Sequence, residues 1–322
     1  LNRKLYKGEA IRVFTGSKIP DNTKAVIIQE NVQKINKYLI FHKNNKIEDG
    51  NFIRKKGFDF KKNKIILKKN KVINARDVGL LVSANSEKIK VYKKPTVSLI
   101  ASGDELIVNN SQKKEGSVYA SSMLMLESLI KLSNASCNNK SIVKDNKKKI
   151  INELIKSTKS DVIITTGGVS VGDRDLIRSS LDEIGFDEKF WRVKMRPGKP
   201  LLFGLLKGKP VFSLPGNPVS SYVCFYLFVK PFLNKLLNIE SKTTTIKAKL
   251  SKNLNIINQR ETYLRGFYFY KKDEVMVKPL PNQDSSLLKA LANSNCLIKL
   301  PISKEPRKKN NTVEIIIISN LC

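Results

Sequence analysis

Residues 161–185 read DVIITTGGVSVGDRDLIRSSLDEIG, and this stretch decides the fold. The mostly apolar run at its start predicts a buried strand over 161–166. The three glycines that follow predict a loop, and the amphipathic pattern beyond them predicts a helix over 174–184 that ends at Gly185, a suitable C′ residue. A strand, a glycine-rich loop and a helix in this order indicate an α/β domain.

The same alternation extends outward over the middle of the chain. Further strands are predicted over 96–101 and 210–214, and helices over 121–132, about 146–157 and 218–237. A polar connection is expected from Ile142 to the helix near 146, and Pro218 suits the first position of the last helix. This rhythm predicts a three-layer α/β domain with a mostly parallel sheet covered on both faces.

The two ends of the chain read as β-rich. Strands are predicted over 10–14, 25–29, 38–41 and 64–67, then over 245–250, 266–270, 274–278, 296–300 and 312–318. A helix over 74–84 with Asn74 as its N-cap follows the first group, and a hairpin turn over 271–273 belongs to the second. We therefore predict a β-rich domain with a linker helix at 1–90, the α/β domain at 91–238 and a small β-barrel domain at 239–322.

Composition excludes several classes of protein. The chain has 322 residues with 60 Lys and Arg against 28 Asp and Glu, a net charge of +32. These lysines are scattered among asparagines, which favours a compositional bias of an AT-rich genome over a nucleic-acid footprint, although a polyanion partner stays open. One histidine and four widely spaced cysteines argue against a histidine base, a zinc site and disulfides, and fit a reducing cytoplasm. The longest strongly apolar run, 222–229, is too short to span a membrane.

Three loops that follow predicted strands carry candidate binding residues, because ligands of open α/β sheets bind beyond the carboxyl ends of the strands. The first, 102–106, holds Asp104, which suits either a hard cation such as Mg²⁺ or an Asx turn. The second, 167–175, runs into a helix N-terminus and suits an anion, and its Asp175 suits a cation site or a helix cap. The third, 214–220, places Asn217 as an N-cap and Ser220 among free N–H groups, a cradle for an oxyanion.

A fourth segment, Met195 to Pro200, reads MRPGKP. Two prolines and a glycine restrict its backbone, so that Arg196 and Lys199 are aimed at a tetrahedral oxyanion or phosphate rather than free to move. The alternative is a pair of solvated cations, which is common in a lysine-rich protein.

Taken together, these strings resemble the molybdopterin molybdenumtransferase family, which comprises the bacterial MoeA proteins and the gephyrin E domain. The matching stretches are GEAIRVFTGSKIPDNTKAVIIQE at 8–30, GNFIRKKGFD at 50–59, SGDEL at 102–106, TTGGVSVGDRD at 165–175, MRPGKP at 195–200 and LPGNPVS at 214–220. Their order and spacing agree across nearly the whole chain.

The resemblance implies a reaction and a set of site residues. Molybdate would be inserted into the dithiolene of adenylylated molybdopterin, and AMP would be released, with Mg²⁺ as cofactor. Asp104, Asp175 and Lys199 match the residues that handle the metal, nucleotide and molybdate, the first two as metal ligands. Residues implied to bind substrate are Gly167, Gly168, Ser170, Asp173, Arg196, Pro200, Asn217, Ser220, Arg260 and Ser285. For Arg260 and Ser285 the alternatives are a surface cation and a turn serine.

The resemblance also implies partners. The family works as a homodimer in the cytoplasm, receives its substrate from a molybdopterin adenylyltransferase and passes its product to apo-molybdoenzymes; neither nucleic acid nor a membrane is involved. Family members normally carry a further N-terminal portion with a motif around Ser-Ala-Met-Asp-Gly-Tyr-Ala, and nothing like it stands in this sequence. The alternative function is therefore a catalytically impaired homologue that binds or scaffolds molybdopterin.

Overall fold

The computed structural model describes residues 3–41, 47–168, 176–240 and 245–319. The chain divides into two compact units, Leu1–Glu87 and Lys88–Cys322. The only histidine, His42, and the last cysteine, Cys322, lie outside the described residues. No helix in the described part is long and apolar enough to cross a membrane.

The described part of the first unit contains a short hairpin, a 3-10 turn over Gln29–Asn31 and an α-helix. Strands β1 (Val32–Ile35) and β2 (Tyr38–Phe41) pair antiparallel, and helix α1 spans Ala75–Ser83. The prediction for Asn74 is confirmed, since its side chain accepts hydrogen bonds from the N–H groups of Arg76 and Asp77. The Asp77 carboxylate accepts in turn from the Asn74 N–H, which completes a capping box.

Three of the strands predicted for this unit were wrong. Residues 10–14, 25–29 and 64–67 form no strand, whereas β1 was missed. Gly16, Asn22 and Asn63 beside these stretches have φ values of 85°, 68° and 65° and turn the chain away. Without a neighbouring strand to supply a hydrogen-bonded ladder, an apolar β-prone stretch stays irregular.

The second unit begins with the α/β part. Its elements in chain order are β3 (Thr96–Ser102), β4 (Leu106–Ile107), β5 (Val118–Tyr119), α2 (Ser121–Leu132), β6 (Ser136–Val143), α3 (Lys147–Ser157), β7 (Val162–Thr166), α4 (Leu176–Glu183), β8 (Asp187–Trp191), β9 (Met195–Arg196), β10 (Leu202–Leu206), β11 (Lys209–Leu214), α5 (Pro218–Cys224) and α6 (Lys230–Leu236). The main sheet has the order β6-β3-β7-β11-β10-β8. Its first four strands run parallel, which confirms the predicted mostly parallel sheet.

Alternate residues of the central strands are buried in two separate hydrophobic cores, one on each face of the sheet. Leu99 of β3 and Ile164 of β7 belong to the core shared with α2, α5 and α6, whereas Ile100 and Ile163 belong to the core shared with α3 and α4. All four side chains are fully buried. The pleat of a strand sends successive side chains to opposite faces, so near-continuous apolar strands produce the three-layer arrangement.

The missed strands lie at the edges of this sheet or next to an edge. The polar connection predicted from Ile142 was wrong, because residues 136–143 form strand β6, and β8 and β10 were not predicted. Edge strands such as β6 and β8 are only partly buried, and their polar sequences carry no continuous apolar signal. The predicted helix over 218–237 is continuous but contains a π-helical turn over Phe225–Val229, just before Pro231, which has no N–H to donate.

The C-terminal part of this unit is a closed β-barrel, as predicted. Its elements are β12 (Thr245–Leu250), β13 (Glu261–Lys271), β14 (Glu274–Pro279), α7 (Leu288–Ala292), β15 (Cys296–Leu300) and β16 (Thr312–Ile317). The order β14-β12-β16-β15-β13 closes because β13 also pairs with β14. Lys272 and Asp273, both with positive φ, form the two-residue hairpin turn. Strand β9 joins this barrel beside β13, which ties the two sheets together.

Candidate functional site

The carboxyl ends of the parallel strands define one edge of the main sheet. Strand β3 lies between β6 and β7. After β3 the chain forms β6 on one side of it and then crosses back to form β7 on the other side. Such a change of direction opens a crevice at the carboxyl ends of the two strands concerned, here β3 and β7. The loops beginning at Ser102 and Gly167 border this crevice.

These loops approach each other so closely that side chains are excluded. Gly167 has φ 89°, and a Cβ there would lie 2.7 Å from the carbonyl oxygen of Ser102. A Cβ on Gly216, in the loop after β11, would lie 3.3 Å from the Cα of Gly167. Ser122 at the start of α2 donates to the Gly216 carbonyl over 2.9 Å. The predicted loops therefore meet at one place, with glycine required at their closest point.

Gly168 is constrained in a second way. Its φ is 62°, and an added Cβ would lie 2.8 Å from the Ile177 side chain of α4. Three further residues predicted for this loop, Ser170, Asp173 and Asp175, lie outside the described residues.

Asp104 lies at the crevice beside a carboxylate that sequence reasoning missed, Asp145. The Asp145 N–H donates to Asp104 Oδ1 over 3.3 Å, and the Ser102 hydroxyl donates to Asp145 Oδ1 over 2.6 Å. The Gly103 N–H adds a bond of 3.2 Å to the Val143 carbonyl. Both aspartates are exposed. The loops after β3 and β6 are thus joined, and two acidic side chains stand together at the sheet edge.

A second group of predicted residues meets where the barrel contacts the start of α5. Asn217 Nδ2 donates to Ser285 Oγ over 3.0 Å, and the Val219 N–H donates to the Ser285 carbonyl over 3.3 Å. Asn217 occupies the N-cap position as predicted, but its side chain makes no capping bond. Its Oδ1 is buried without a hydrogen-bond partner among the described residues. Ser220, one residue beyond Val219, is also buried.

The loop that carries Ser285 is held by a buried cation. Arg265 is 1% exposed, and its Nη2 donates to the Asp284 carbonyl over 2.9 Å and to the Asn282 carbonyl over 3.4 Å. Burial lowers the pKa of the Arg265 guanidinium. The Ser286 hydroxyl and N–H hold the pKa of Asp284 below its usual value, and the charges of Arg265 and Arg196 contribute. The charge of Arg196 therefore lies close enough to the Ser285 loop to act on Asp284.

The segment carrying Arg196 and Lys199 is fixed by close packing. A Cβ on Gly198, whose φ is 104°, would lie 2.6 Å from the Sγ of Cys224 in α5. The Val193 N–H donates to the Lys199 carbonyl over 2.9 Å. The Lys199 and Arg196 side chains are exposed, and neither forms an ion pair with another described residue.

Pro200 and Arg260 complete the predicted set. Pro200 is half-buried at the end of the same segment. Arg260 is exposed, and its carbonyl accepts from Asn258 Nδ2 over 3.0 Å. It is Arg265, five residues later and within β13, whose guanidinium holds the Ser285 loop. No local signal distinguished these two arginines, because only the pairing of β13 shows which one is buried.

The donor chemistry at Asp104 and Asp145 fits a magnesium ion. The described residues contain no group of three or more His, Cys, Asp or Glu side chains that would enclose a metal. Mg²⁺ is usually held by one or two carboxylates together with waters and substrate phosphates, so two adjacent aspartates are a sufficient protein contribution.

Comparison with known protein families matches three models along the chain. Residues 2–85 match the MoeA N-terminal region (domain I and II), residues 98–235 a probable molybdopterin binding domain, and residues 247–318 the MoeA C-terminal region (domain IV).

Individual relatives agree with these matches. The molybdopterin molybdenumtransferase of Haemophilus influenzae is 30% identical over 310 residues, covering 95% of this chain and 76% of the relative. That of Staphylococcus epidermidis is 32% identical over 314 residues, covering 97% and 74%. Two crystal structures of the molybdopterin biosynthesis MoeA protein of Pyrococcus horikoshii have TM-scores of 0.79 and 0.75 at 28% and 26% identity. They cover 99% and 98% of this chain, which spans 78% and 77% of theirs.

Proposed function

This chain belongs to the MoeA family, and from that premise we propose that it is a molybdopterin molybdenumtransferase of molybdenum cofactor biosynthesis. In the proposed reaction the two dithiolene sulfurs of adenylylated molybdopterin each form a bond to the molybdenum of molybdate, while one Mo–O bond breaks and that oxygen leaves as water with the two thiol protons. The phosphoanhydride bond of the substrate is hydrolysed, and AMP leaves.

The hydrogen bond between Asn217 and Ser285 is the observation that carries this proposal. It brings a barrel loop to the same sheet edge as Asp104, so that one ligand can reach both groups of residues. The cations Arg196 and Lys199 and the Ser220 hydroxyl at the start of α5 supply the positive potential and a donor that a tetrahedral oxyanion needs. We assign molybdate to this group of residues.

The crevice between β3 and β7 suits the phosphate-bearing part of the substrate. Gly167 and Gly168 admit close approach of a ligand to the backbone. Asp104, with the predicted contribution of Asp175, would hold Mg²⁺, which neutralises phosphate charge when bound. Such a site needs no protein nucleophile, since positioning and charge stabilisation lower the barrier.

AMP release from adenylylated molybdopterin in the presence of molybdate and Mg²⁺ tests the proposal. Ser285→Ala removes the acceptor of Asn217 and is expected to raise the KM for molybdate about tenfold. Ser303→Ala, in a barrel turn where the hydroxyl accepts from the Glu305 N–H, is the matched control and should leave that KM unchanged. Binding of adenylylated molybdopterin without any AMP release would instead favour the binding or scaffolding homologue.

We further propose that the protein works as a homodimer. A molybdopterin adenylyltransferase would deliver its substrate, and apo-molybdoenzymes would receive its product. Sedimentation at several concentrations tests the dimer, and a mass of one chain throughout would contradict it.

A further inference from the structure

The sheet edge carries one more arrangement, centred on Trp191 at the end of β8. The Cζ atoms of Arg178 and Arg192 lie over its indole ring, 3.7 and 4.0 Å from the ring centroid. We call these three residues the Trp191 stack. Trp191 is the only tryptophan of the chain.

The two arginines of the Trp191 stack have different surroundings. Arg178 projects from α4 and forms an ion pair of 3.1 Å with Glu188 of β8, so it fastens the helix to the sheet. Arg192 is exposed, and within the described ranges no carboxylate pairs with its guanidinium. Arg192 thus presents an uncompensated cation whose position is set by the ring beneath it.

The backbone holds Arg192 in place at a conformational cost. Its φ is 65°, in the left-handed region that residues other than glycine, asparagine and aspartate rarely adopt. The Arg192 N–H donates to the Leu201 carbonyl over 3.1 Å, and the next N–H, of Val193, donates to Lys199. Strain at a residue that its surroundings over-determine points to a functional role. The two hydrogen bonds also place Arg192 in the same hairpin as Lys199.

The Trp191 stack lies at the carboxyl edge of the sheet. Trp191 pairs with Leu202, Leu202 with Ser213, and Ser213 with Thr165 of β7, one residue before the end of that strand. Three strand spacings separate β8 from β7, a distance of about 14 Å. A substrate that carries a pterin at one end and an adenosine at the other is long enough to reach from the glycine loop to this position.

We propose that the Trp191 stack is a subsite for one end of the substrate, a planar heteroaromatic ring joined to a phosphate. The ring stacks on the outer face of the Arg192 guanidinium, and the phosphate pairs with its N–H groups. Arginine suits both contacts, because its planar cation stacks on aromatic rings and pairs with phosphate through two parallel hydrogen bonds. This inference rests on the proposed function for the identity of the substrate. The adenylate end and the pterin end share the required chemistry.

Trp191 emission provides a readout that does not depend on catalysis. The full chain is titrated with AMP, with molybdopterin lacking the adenylate, and with inorganic phosphate. We expect either AMP or molybdopterin to change the Trp191 emission saturably. The ligand that does so identifies which end of the substrate binds at the Trp191 stack. Arg192→Asn keeps a residue that tolerates positive φ and should raise the Kd of that ligand about tenfold or more, the loss of one charge-assisted pair.

Lys189→Gln is the matched control, because it removes one positive charge from β8, and the Lys189 ammonium pairs with Asp187 rather than standing over the Trp191 ring. Its exposed ion pair of 2.7 Å with Asp187 contributes little to stability. An unchanged Kd in this variant supports the proposal. Equal weakening in both variants, inorganic phosphate binding as tightly as the ring-bearing ligand, or no emission change with either ring-bearing ligand would overturn it.

The AMP-release assay separates failure of this inference from failure of the proposed function. If the unmodified chain releases AMP and Arg192→Asn has an unchanged KM for adenylylated molybdopterin, the subsite is wrong and the function stands. If AMP or molybdopterin binds through Arg192 but no AMP is released, the proposed function is wrong and the subsite stands.

Discussion

Asp145 acquires its importance from two hydrogen bonds that join distant parts of the chain. Its carboxylate accepts from Ser102 and its N–H donates to Asp104, 43 and 41 residues away. In the sequence it follows Lys144 in an unremarkable polar stretch. In the proposed Mg²⁺ site Asp145 would orient Asp104, and groups that orient a metal ligand commonly change metal affinity by about 10-fold to 100-fold.

Replacing Asp145 with asparagine should isolate the effect of its charge. Asp145→Asn still offers an acceptor to Ser102, but it removes one of two adjacent carboxylates. We expect the Mg²⁺ concentration for half-maximal AMP release to rise about tenfold. Asp273→Asn, in the barrel hairpin turn, removes a similar charge far along the chain and serves as the control. Equal Mg²⁺ requirements in Asp145→Asn and the unmodified chain would contradict this role.

At the scale of elements, the amino ends of β3 and β7 are joined by a side chain. The Asp161 carboxylate accepts from the N–H and the hydroxyl of Thr96, both over 2.8 Å. The hydrogen bond from the Thr96 N–H is the largest cause of the lowered pKa of Asp161, and the Thr96 hydroxyl and nearby lysines contribute. This contact sets the pairing of β3 with β7 at the end opposite to the crevice.

The lowered pKa makes the contribution of Asp161 dependent on pH. It is fully present above the unfolded-state value of about 3.9 and is lost as the pH falls through the lower folded-state value. We expect Asp161→Asn to reduce the free energy of unfolding by about 1.5 kcal/mol at pH 7, and by less in acid. Urea unfolding at pH 7 and at successively lower pH measures the difference.

Asp187→Asn is the control for this series. Asp187 pairs with Lys189 in an exposed ion pair, so its loss should change stability by less than about 0.5 kcal/mol at either pH. A destabilisation by Asp161→Asn that stayed constant into acid would show that the charge of this carboxylate is unimportant.

At the scale of the second unit, strand β9 makes one structure out of two sheets. Met195 and Arg196 leave the α/β part, pair with Glu261 and Thr262 of the barrel, and return to β10. Met195 and Tyr263 of the barrel are buried in the same core as the helices α2 and α5. Because the interface is both hydrogen-bonded and apolar, we expect the α/β part and the barrel to unfold together.

Two buried cysteines report on the two parts of this unit. Cys224 lies in α5 and Cys296 in the barrel, and both are fully buried. Burial raises the pKa of the Cys296 thiol to about 12 and raises that of Cys224 as well, so neither reacts in the folded protein. Pulsed alkylation followed by peptide mass spectrometry should therefore label both cysteines over the same range of urea concentration.

Gly198→Ala should lower both labelling midpoints together. The positive φ should reduce the free energy of unfolding by about 1–2 kcal/mol, and the clash with Cys224 should reduce it further. Gly208→Ala is the matched control, with φ 74° and no atom within 4 Å of the added Cβ, so it carries the backbone strain alone. Separate midpoints for Cys224 and Cys296 would show that the two sheets are independent.

The sequence by itself determined the elements whose signals are local. Buried strands such as β7, the glycine loop at 167–168, the cap at Asn74 and the barrel strand β15 follow from apolar runs, turn residues and capping side chains within a few positions. The order of the loops along the chain and the family resemblance also predicted Asn217 and Ser285 as candidate residues. Neither of them predicted that the two side chains are in contact.

Only the tertiary structure decided which residues meet. The strands β6 and β8 are polar and stand at sheet edges, where the neighbouring strand, rather than their own sequence, supplies the ladder that makes them strands. Asp145 reaches Asp104 only because β6 pairs with β3, and Arg265 rather than Arg260 holds the Ser285 loop only because the barrel buries it. These contacts join residues tens of positions apart, and no local pattern encodes such a distance.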